Sequence, residues 1–347
     1  MSALRHNAQL VRKLCPTSKV LAVVKANAYG HGATAVAREL EPLADALAVA
    51  CLEEAQALRD AGIRSHILLL EGVFQPQELE QAEQLGLWLT IPSEEQLGWL
   101  ERYPARTALT CWLKVNTGMN RLGVPSEKVA ALYARLQRCA ADPVVLYTHF
   151  SSADCMQSGA TPRQIEQFAQ LLPGTVRSAA NSAGVLAWPE AHYDWVRPGY
   201  MLYGNSPLES PHDNARSLRP VMTLASAVML VRDVKHGDPV GYGGTWVARR
   251  PSRIATVPIG YGDGYPRHAP NGTPVLVAGQ RAALAGRVSM DMITVDVTDL
   301  EGIETGSEVI LWGDGLPLED VARCAGTIGY ELTTGMPSRT PRVVTRS

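Results

Sequence analysis

The sequence lacks closely spaced cysteines. A zinc site or a disulfide framework needs cysteines in characteristic pairs, and isolated free thiols behave as small buried apolar side chains. We therefore expect reduced thiols and no metal site. The chain has six cysteines, and none belongs to a Cys-x-x-Cys pair: Cys15, Cys51, Cys111, Cys139, Cys155 and Cys324.

Long apolar runs are also absent. A membrane-spanning helix needs about 18 or more consecutive apolar residues, and no such run occurs in the chain. The opening MSALRHNAQLVRKLC lacks the apolar core of a signal peptide. The sequence therefore predicts a cytoplasmic protein that has no membrane partner.

There is little net charge of either sign. The formal net charge is −2, and the 32 Lys and Arg residues are interspersed with the 34 Asp and Glu residues. Without a basic stripe there is nothing to attract a phosphate backbone, so we expect no nucleic-acid partner. The length of 347 residues and the hydrophobic share of 46% are typical of a globular protein with two domains, one of them large.

The first part of the chain alternates between short apolar runs and helical stretches. Continuous apolar strands that alternate with helices are typical of parallel strands with a helical cover. Eight such strands favour a (β/α)8 TIM-type barrel over an open sheet, and we predict this barrel over residues 1–212. The eight runs lie at 20–26, 46–50, 66–71, 87–91, 108–116, 143–150, 175–181 and 194–199.

The pattern changes after about residue 205. Residues 205–220 are rich in Pro, Ser and Asn, a composition typical of a linker or loop. Closely spaced strands with glycine-rich turns follow, with one short helix near 318–326. This pattern predicts a mainly antiparallel β-strand domain over residues 213–347.

Polar residues follow five of the predicted barrel strands. In a TIM-type barrel the active site lies at the carboxyl ends of the strands, so we expect these side chains to share one rim. Ser182 and Gly199 follow strands seven and eight, where barrels commonly hold a phosphate. The polar residues are Lys25, Lys114, Arg121, His149, Asn181, Ser182 and Arg197.

Lys25 directly follows the apolar run VLAVV. A lysine at this place is expected to be partly desolvated, which lowers its pKa and favours the neutral amine that forms a Schiff base. A lysine that only extends from a strand end into solvent gives the same local pattern.

Nine motifs distributed over nearly the whole chain resemble those of the alanine racemase family. One such motif would be weak evidence, but nine in register identify the chain as a member of the family. In chain order they are VLAVVKANAYGHG, KVNTGMNRLG, THF, NSAG, VRPGYMLYG, VGYGGTW, PIGYGDGYPR, AGRVSMDM and IGYEL.

The resemblance implies an enzyme that interconverts L-alanine and D-alanine with pyridoxal 5′-phosphate as cofactor. Lys25 would hold the cofactor as a covalent aldimine and then act as the base on one face of the substrate Cα. Tyr242 of the partner subunit would be the base on the opposite face, because racemisation removes a proton from one face and returns it to the other. A symmetric homodimer with shared active sites follows.

The resemblance also implies contacts to the ring of the cofactor. Arg197 would donate to the pyridine nitrogen and keep it unprotonated, because a guanidinium does not release its proton. His149 would orient Arg197. Arg121 would face the phenolic oxygen and the substrate carboxylate, and Lys114, which is carboxylated in some family members, would hold Arg121.

The remaining implied contacts concern the phosphate and the substrate entrance. Met290 of the partner would approach the substrate carboxylate through its backbone N–H, and Tyr261 and Asp291 would narrow the entrance, which suits a methyl-sized side chain. Asn181 would also belong to the cofactor site. The implied phosphate ligands are Tyr29, Ser182, Tyr330 and the backbone of Gly199 and Tyr200.

The sequence departs from the family pattern at three places. The family usually has a strand before the segment that matches 2–7, whereas this chain begins almost at that segment. Ser289 stands where other members have Cys, and Asn116 stands where many have Asp. Neither substitution is at a proposed base.

Four alternatives stay open. A barrel-type decarboxylase of basic amino acids shares the first-strand lysine and the cofactor, but it should carry an acidic residue in place of Arg197. A non-catalytic cofactor carrier would not need Tyr242. Within racemases, a broader or serine-preferring specificity is an alternative, as is a role in alanine catabolism rather than in D-alanine supply for peptidoglycan.

Overall fold

The protein consists of two compact units. The structure is a computed structural model and describes residues 1–345. Residues 1–219 form the first unit, called here the barrel unit, and residues 220–345 form the second, called the β unit. Within the described residues, no helix combines the length and the apolar character needed to cross a membrane.

Within the described residues, the barrel unit contains nine strands and nine helical segments of five or more residues, of which α2 is a left-handed turn, besides several shorter 3-10 turns. Its helices are α1 (Ser2–Leu14), α2 (Lys25–Tyr29), α3 (Ala33–Leu40), α4 (Leu52–Asp60), α5 (Glu78–Gln84), α6 (Glu94–Arg102), α7 (Val129–Leu136), α8 (Ala160–Gln170) and α9 (Ser182–Ala187). Its strands are β1 (Lys19–Val23), β2 (Ala46–Val49), β3 (Ile67–Leu69), β4 (Trp88–Ile91), β5 (Leu109–Asn116), β6 (Val124–Pro125), β7 (Ala140–Tyr147), β8 (Arg177–Ser178) and β9 (Trp195–Val196).

Eight of these strands close into a parallel barrel in the order β1, β2, β3, β4, β5, β7, β8, β9, and β9 pairs again with β1. The short β6 pairs only with β5, outside the closed ring. Strand β2 shows the pattern expected of a parallel strand with both faces covered, since all four of its residues are apolar and buried. The predicted TIM-type barrel is confirmed.

Aromatic side chains fill the interior of the barrel. Trp88 and Trp195 stand at the first positions of β4 and β9, and both pack on Trp112 of β5, with ring centroids 6.3 and 5.5 Å apart. Tyr147 meets Trp112 edge-on at 5.7 Å. Trp88 and Trp195 thus lie towards the amino end of the barrel, whereas Tyr147, the last residue of β7, lies towards the carboxyl end, where Lys114 and Arg197 are placed over its ring.

The segment after the last barrel strand remains attached to the barrel unit through Asn7 of α1. The fully buried Asn7 amide donates to the carbonyls of Leu202 and Arg219, at 3.0 and 2.8 Å, and its oxygen accepts from the Arg219 N–H at 2.9 Å. The barrel unit therefore extends to Arg219, whereas the composition of the chain placed the end of the domain at residue 212. Helix α1 was not among the predicted elements.

The β unit is built on a seven-stranded antiparallel sheet in the order β10, β18, β15, β16, β17, β14, β11, beside a separate pair of β12 and β13. A buried core of Val, Leu and Ile lies against it, with Tyr265 stacked on Trp312. The predicted antiparallel domain is confirmed. The elements are β10 (Leu224–Ala227), β11 (Leu230–Val234), β12 (Pro239–Val240), β13 (Trp246–Val247), β14 (Ser252–Val257), β15 (Pro274–Val277), β16 (Gln280–Leu284), β17 (Ile293–Asp296), β18 (Glu308–Trp312), α10 (Leu318–Cys324) and α11 (Gly329–Thr334).

We expect Asn7→Ala to lower the free energy of unfolding of the barrel unit by about 3 kcal/mol, because each buried polar group left without a partner costs roughly 1–3 kcal/mol. Urea unfolding followed by tryptophan fluorescence measures the change. The control is Gln9→Ala, an exposed position of the same helix, which should change the free energy by less than about 0.5 kcal/mol. Equal effects of the two substitutions would show that the Asn7 hydrogen bonds do not hold this segment.

Candidate active site

The barrel-unit residues singled out from the sequence lie at or just beyond the carboxyl ends of the strands. Lys25 follows β1, Lys114 lies near the end of β5, and Arg197 follows β9. The charges of Arg197, Arg121 and Lys25 are close enough to Lys114 to act on its pKa. The closed parallel barrel thus brings residues from distant parts of the sequence to one rim.

The backbone that follows Lys25 is a left-handed turn. Ala26, Asn27, Ala28 and Tyr29 all have φ between 51° and 54°, a conformation that costs L-residues other than glycine roughly 1–2 kcal/mol each. Asn27 stabilises the turn, since its side-chain oxygen accepts from the Ala33 N–H at 2.8 Å. Such strain persists only where the surroundings impose it, and it is concentrated at functional sites.

Arg197 is a buried cation that is held by oxygen acceptors from neighbouring strands. It is 4% exposed. Its Nη1 donates to Ser178 Oγ at 2.7 Å, and its Nη2 donates to the carbonyls of Thr148 and Ala179 at 2.7 and 3.1 Å. Burial lowers the pKa of Arg197 to about 10, so it remains a cation at neutral pH. Among the described residues, its hydrogen bonds use only the two terminal nitrogens, so the Nε–H is available to a bound group.

His149 lies next to Arg197, with His149 Nδ1 3.4 Å from Arg197 Nη2. A guanidinium can only donate, so Nδ1 must be the acceptor and the neutral ring carries its hydrogen on Nε2. Burial, and then the positive charge of Arg197, holds the pKa of His149 well below its ordinary value. The imidazole is therefore neutral where Arg197 is charged.

Lys114 is buried, and its Nζ lies 5.5 Å from the centroid of the Tyr147 ring. Burial, together with the charges of Arg197 and Arg121, lowers the pKa of Lys114 to about 8. Glu71 acts in the opposite direction. Sequence reasoning did not single out Glu71, although the signal was present: it directly follows the apolar run 67–70, as Lys25 follows the apolar run 20–24.

Ser182, Gly199 and Tyr29 form a tight corner at the ends of β8 and β9. Ser182 Oγ accepts from the N–H groups of Gly199 and Met201, at 2.9 and 3.3 Å. A Cβ on Gly199 would lie 2.5 Å from Tyr29 Oη, so only glycine fits there. Asn181 caps α9 by accepting from the Gly184 N–H, and Tyr200 is buried beside the corner.

In the β unit, the singled-out residues lie mainly on turns around segment 286–291. Tyr242 lies on the turn between β12 and β13, next to Gly241. A Cβ added to Gly241 would lie 3.4 Å from the backbone nitrogen of Arg287, so this turn passes close to segment 286–291. The Tyr261 N–H donates to the Ser289 carbonyl at 3.0 Å. The largest side chains of these turns are exposed: Tyr242 at 69%, Met290 at 52% and Tyr261 at 40%.

Two further residues of the β unit complete the predicted set. Asp291 pairs with Arg339, whose guanidinium also binds Asp263, both at 2.8 Å. This pairing ties the turn after Tyr261 to the turn after Met290. Tyr330 is half-buried in α11.

Both units match one protein family. Residues 1–207 match the family model described as "Alanine racemase, N-terminal domain". Residues 221–344 match the one described as "Alanine racemase, C-terminal domain". An alanine racemase of Chromohalobacter salexigens is 51% identical over 350 residues, which cover 99% of this chain and 95% of that protein.

Solved structures are similar over the same extent. The biosynthetic alanine racemase from Pseudomonas aeruginosa has a TM-score of 0.95 at 46% identity, and the match covers 100% of this chain and 98% of that chain. The alanine racemase from Bartonella henselae, described as having covalently bound pyridoxal phosphate, has a TM-score of 0.89 at 30% identity, with 99% and 97% covered.

The lowered pKa of His149 predicts a pH-dependent stability. At pH values below 6.5, the ordinary pKa of histidine, His149 is protonated in the unfolded chain but stays neutral in the folded protein. The unfolded state therefore binds more protons, and acid favours unfolding. We expect this contribution to the free energy of unfolding to be constant well above pH 6.5 and to decrease as the pH falls below it. Urea unfolding over this pH range measures the slope.

His149→Gln should make that slope smaller, because the substituted side chain does not titrate. His268→Gln, at an exposed position of the β unit, is the control and should keep the slope of the unsubstituted protein. An unchanged slope in His149→Gln would mean that this imidazole is not held neutral in the folded protein.

Proposed function

The chain belongs to the alanine racemase family, and we propose that it interconverts L-alanine and D-alanine by a two-base reaction in which Lys25 and Tyr242 act on opposite faces of the substrate Cα. The observation that carries this proposal is the match of both units to one family. A carrier built on the barrel alone would need no β unit with an exposed tyrosine. The biosynthetic relative at 46% identity favours a biosynthetic role.

The barrel rim fits pyridoxal 5′-phosphate. The corner of Ser182, Gly199 and Tyr29 places two hydroxyl groups beside a glycine at which a Cβ would clash, an arrangement that suits a phosphate. Tyr200, Asn181 and Tyr330 are proposed to complete the cofactor site. Lys25 would carry the cofactor covalently through its Nζ. When bound, the cofactor withdraws electrons from the substrate Cα, which makes its hydrogen acidic.

Arg197 distinguishes this site from that of a decarboxylase. Its Nε–H would donate to the pyridine nitrogen, while its terminal nitrogens are held by protein oxygens. Because Arg197 stays charged at neutral pH, it does not pass a proton to the ring. The neutral His149 supports this donor without adding a second charge. A decarboxylase would benefit from an acidic residue here, which protonates the ring.

The proton transfers balance between the two proposed bases. Lys25 Nζ takes or returns a proton on one face of Cα, and Tyr242 Oη returns or takes one on the other face. Each turnover therefore moves one proton onto one residue and one proton off the other, and proton exchange with solvent restores both before the next turnover in the same direction. Neither group alone reaches both faces of a fixed carbon.

We propose that Tyr242 is supplied by a second copy of the chain in a homodimer with shared active sites. Tyr242, Tyr261 and Met290 are large side chains that the β unit leaves exposed, as is typical of a protein interface. An isologous contact would use this surface twice and build two equal sites. The Met290 N–H and Arg121 would then bind the substrate carboxylate, with Tyr261 and Asp291 narrowing the entrance.

Lys114 is proposed to hold Arg121 as its carboxylated form. The pKa of about 8 leaves part of the Lys114 amine neutral at neutral pH, and only the neutral amine reacts with carbon dioxide. Its nitrogen would form a bond to the carbon of carbon dioxide and release one proton to solvent, and the resulting anion would pair with the Arg121 guanidinium.

The main test incubates the purified holoenzyme with L-alanine in deuterated water. We expect the Cα hydrogen to exchange for deuterium while D-alanine appears, because the proton on each base equilibrates with solvent. NMR of Cα labelling and chiral chromatography measure the two events. Release of carbon dioxide would favour the decarboxylase, and a faster reaction with serine than with alanine would favour the broader specificity.

We expect Lys25→Ala and Tyr242→Phe to fail in different ways. Lys25→Ala should lose the visible absorbance of the lysine-linked cofactor, whereas Tyr242→Phe should keep it. Tyr242→Phe should also lose racemisation by at least about 100-fold but still exchange the Cα hydrogen of one enantiomer, since Lys25 still serves its own face. Tyr103→Phe, at the opposite end of the barrel, is the control. Racemisation that survives in Tyr242→Phe would remove the second base.

A further inference from the structure

We propose that Glu54 is a positioning residue that holds the left-handed turn after Lys25 and thereby aims the Lys25 amine. The inference rests on the proposed role of Lys25 as the cofactor-bearing residue. It assigns a function to a carboxylate that belongs neither to the motifs of the sequence analysis nor to the predicted site.

The Glu54 carboxylate joins the ends of two neighbouring barrel strands. Its Oε1 accepts from the Ala26 N–H at 2.6 Å, and its Oε2 accepts from the Ala50 N–H at 2.8 Å. Ala26 follows Lys25 after β1, and Ala50 follows β2. Both oxygens of one side chain are therefore used on backbone groups at the rim. Hydrogen bonds to a charged acceptor are the stronger kind.

Helix capping explains only one of these two contacts. Glu54 is the third residue of α4, whose N-cap is Cys51, and a glutamate at this place commonly reaches back to the backbone before the helix. The hydrogen bond from the Ala50 N–H is of this capping type. The hydrogen bond from the Ala26 N–H is not, because Ala26 lies 28 positions earlier in the chain, after a different strand.

The Ala26 N–H is where the strained backbone begins. Ala26 has φ 51°, the first of four consecutive positive values, and its amide shares a rigid peptide plane with the Lys25 carbonyl. Ahead of Lys25, the backbone is held by the bond from the Val24 N–H to the Ala48 carbonyl at 2.8 Å. On the C-terminal side of Lys25, the hydrogen bond from the Ala26 N–H to Glu54 holds the backbone in the same way. The position of the Lys25 Cα is therefore restrained from both sides.

The test compares Glu54→Gln with Glu53→Gln in the holoenzyme. Glutamine keeps one oxygen acceptor, so Glu54→Gln can still cap α4 but cannot accept from both N–H groups. Glu53 is the exposed neighbour on the same helical turn and serves as the matched control. We measure kcat, KM for alanine, the visible absorbance of the lysine-linked cofactor, and the fraction of Lys25 trapped by borohydride.

In Glu54→Gln we expect kcat to fall at least about tenfold, since displacement of a reacting group by about 1 Å has effects of this size or larger. KM should change less than kcat, and the absorbance or the trapped fraction should decrease. Glu53→Gln should match the unsubstituted enzyme. If Glu54→Gln also matches it in kcat, absorbance and trapping, the inference is wrong.

Ala26→Gly separates positioning from a general loss of structure. Glycine adopts φ 51° without the steric cost of a Cβ, so the turn should depend less on Glu54 in that background. We expect the double variant Glu54→Gln, Ala26→Gly to have a kcat at least about threefold higher than that of Glu54→Gln alone. A loss of helix capping would not be relieved in this way. Absence of rescue, or a Glu54→Gln protein that stays unfolded even with Ala26→Gly, overturns the inference. If the unsubstituted enzyme shows no cofactor on Lys25, the proposed function fails instead.

Discussion

The buried guanidinium of Arg197 is the constraint on which the rim of the barrel depends. A charge this far from solvent is stable only when oxygen atoms surround it. Here the acceptors are Ser178 Oγ and the carbonyls of Thr148 and Ala179, which come from the ends of β7 and β8. Arg197 therefore links three neighbouring strands at the point where the reaction is proposed to occur.

The same cation contributes, after burial, to the lowered pKa values of its neighbours. Its charge adds to burial in holding the pKa of His149 low, and it acts in the same direction on Lys114. Glu71 acts on the pKa of Lys114 in the opposite direction. The cations Arg197 and Arg121 suit the phosphate and carboxylate groups of the proposed ligands.

The two units contribute differently to the proposed chemistry. The barrel unit contains the left-handed backbone at residues 26–29 and keeps the Arg197 cation buried among oxygen acceptors. The β unit offers Tyr242 on an exposed turn, and this exposure is understandable when the residue completes a site on another copy. In the proposed reaction, Lys25 of the barrel unit in one copy and Tyr242 of another copy would act on opposite faces of one carbon.

The sequence by itself determined the architecture, because the signals for it are local. Alternating apolar runs predict a parallel barrel, and closely spaced strands with glycine-rich turns predict the antiparallel unit. Arg197 and Ser182 were placed on the rim because they follow strands, and the family motifs added Tyr242. The chemical roles of these residues stay predictions, although their places in the fold follow from local patterns.

Only the tertiary structure decided how the site is supported. The left-handed conformation of residues 26–29 is invisible in the sequence, since alanine and tyrosine rarely adopt it. The two contacts of Glu54, the charge of Glu71 near Lys114 and the attachment of Arg219 to Asn7 join residues far apart along the chain. Periodicity and composition report what neighbouring residues favour, whereas such contacts exist only after the barrel has closed and brought the strand ends together.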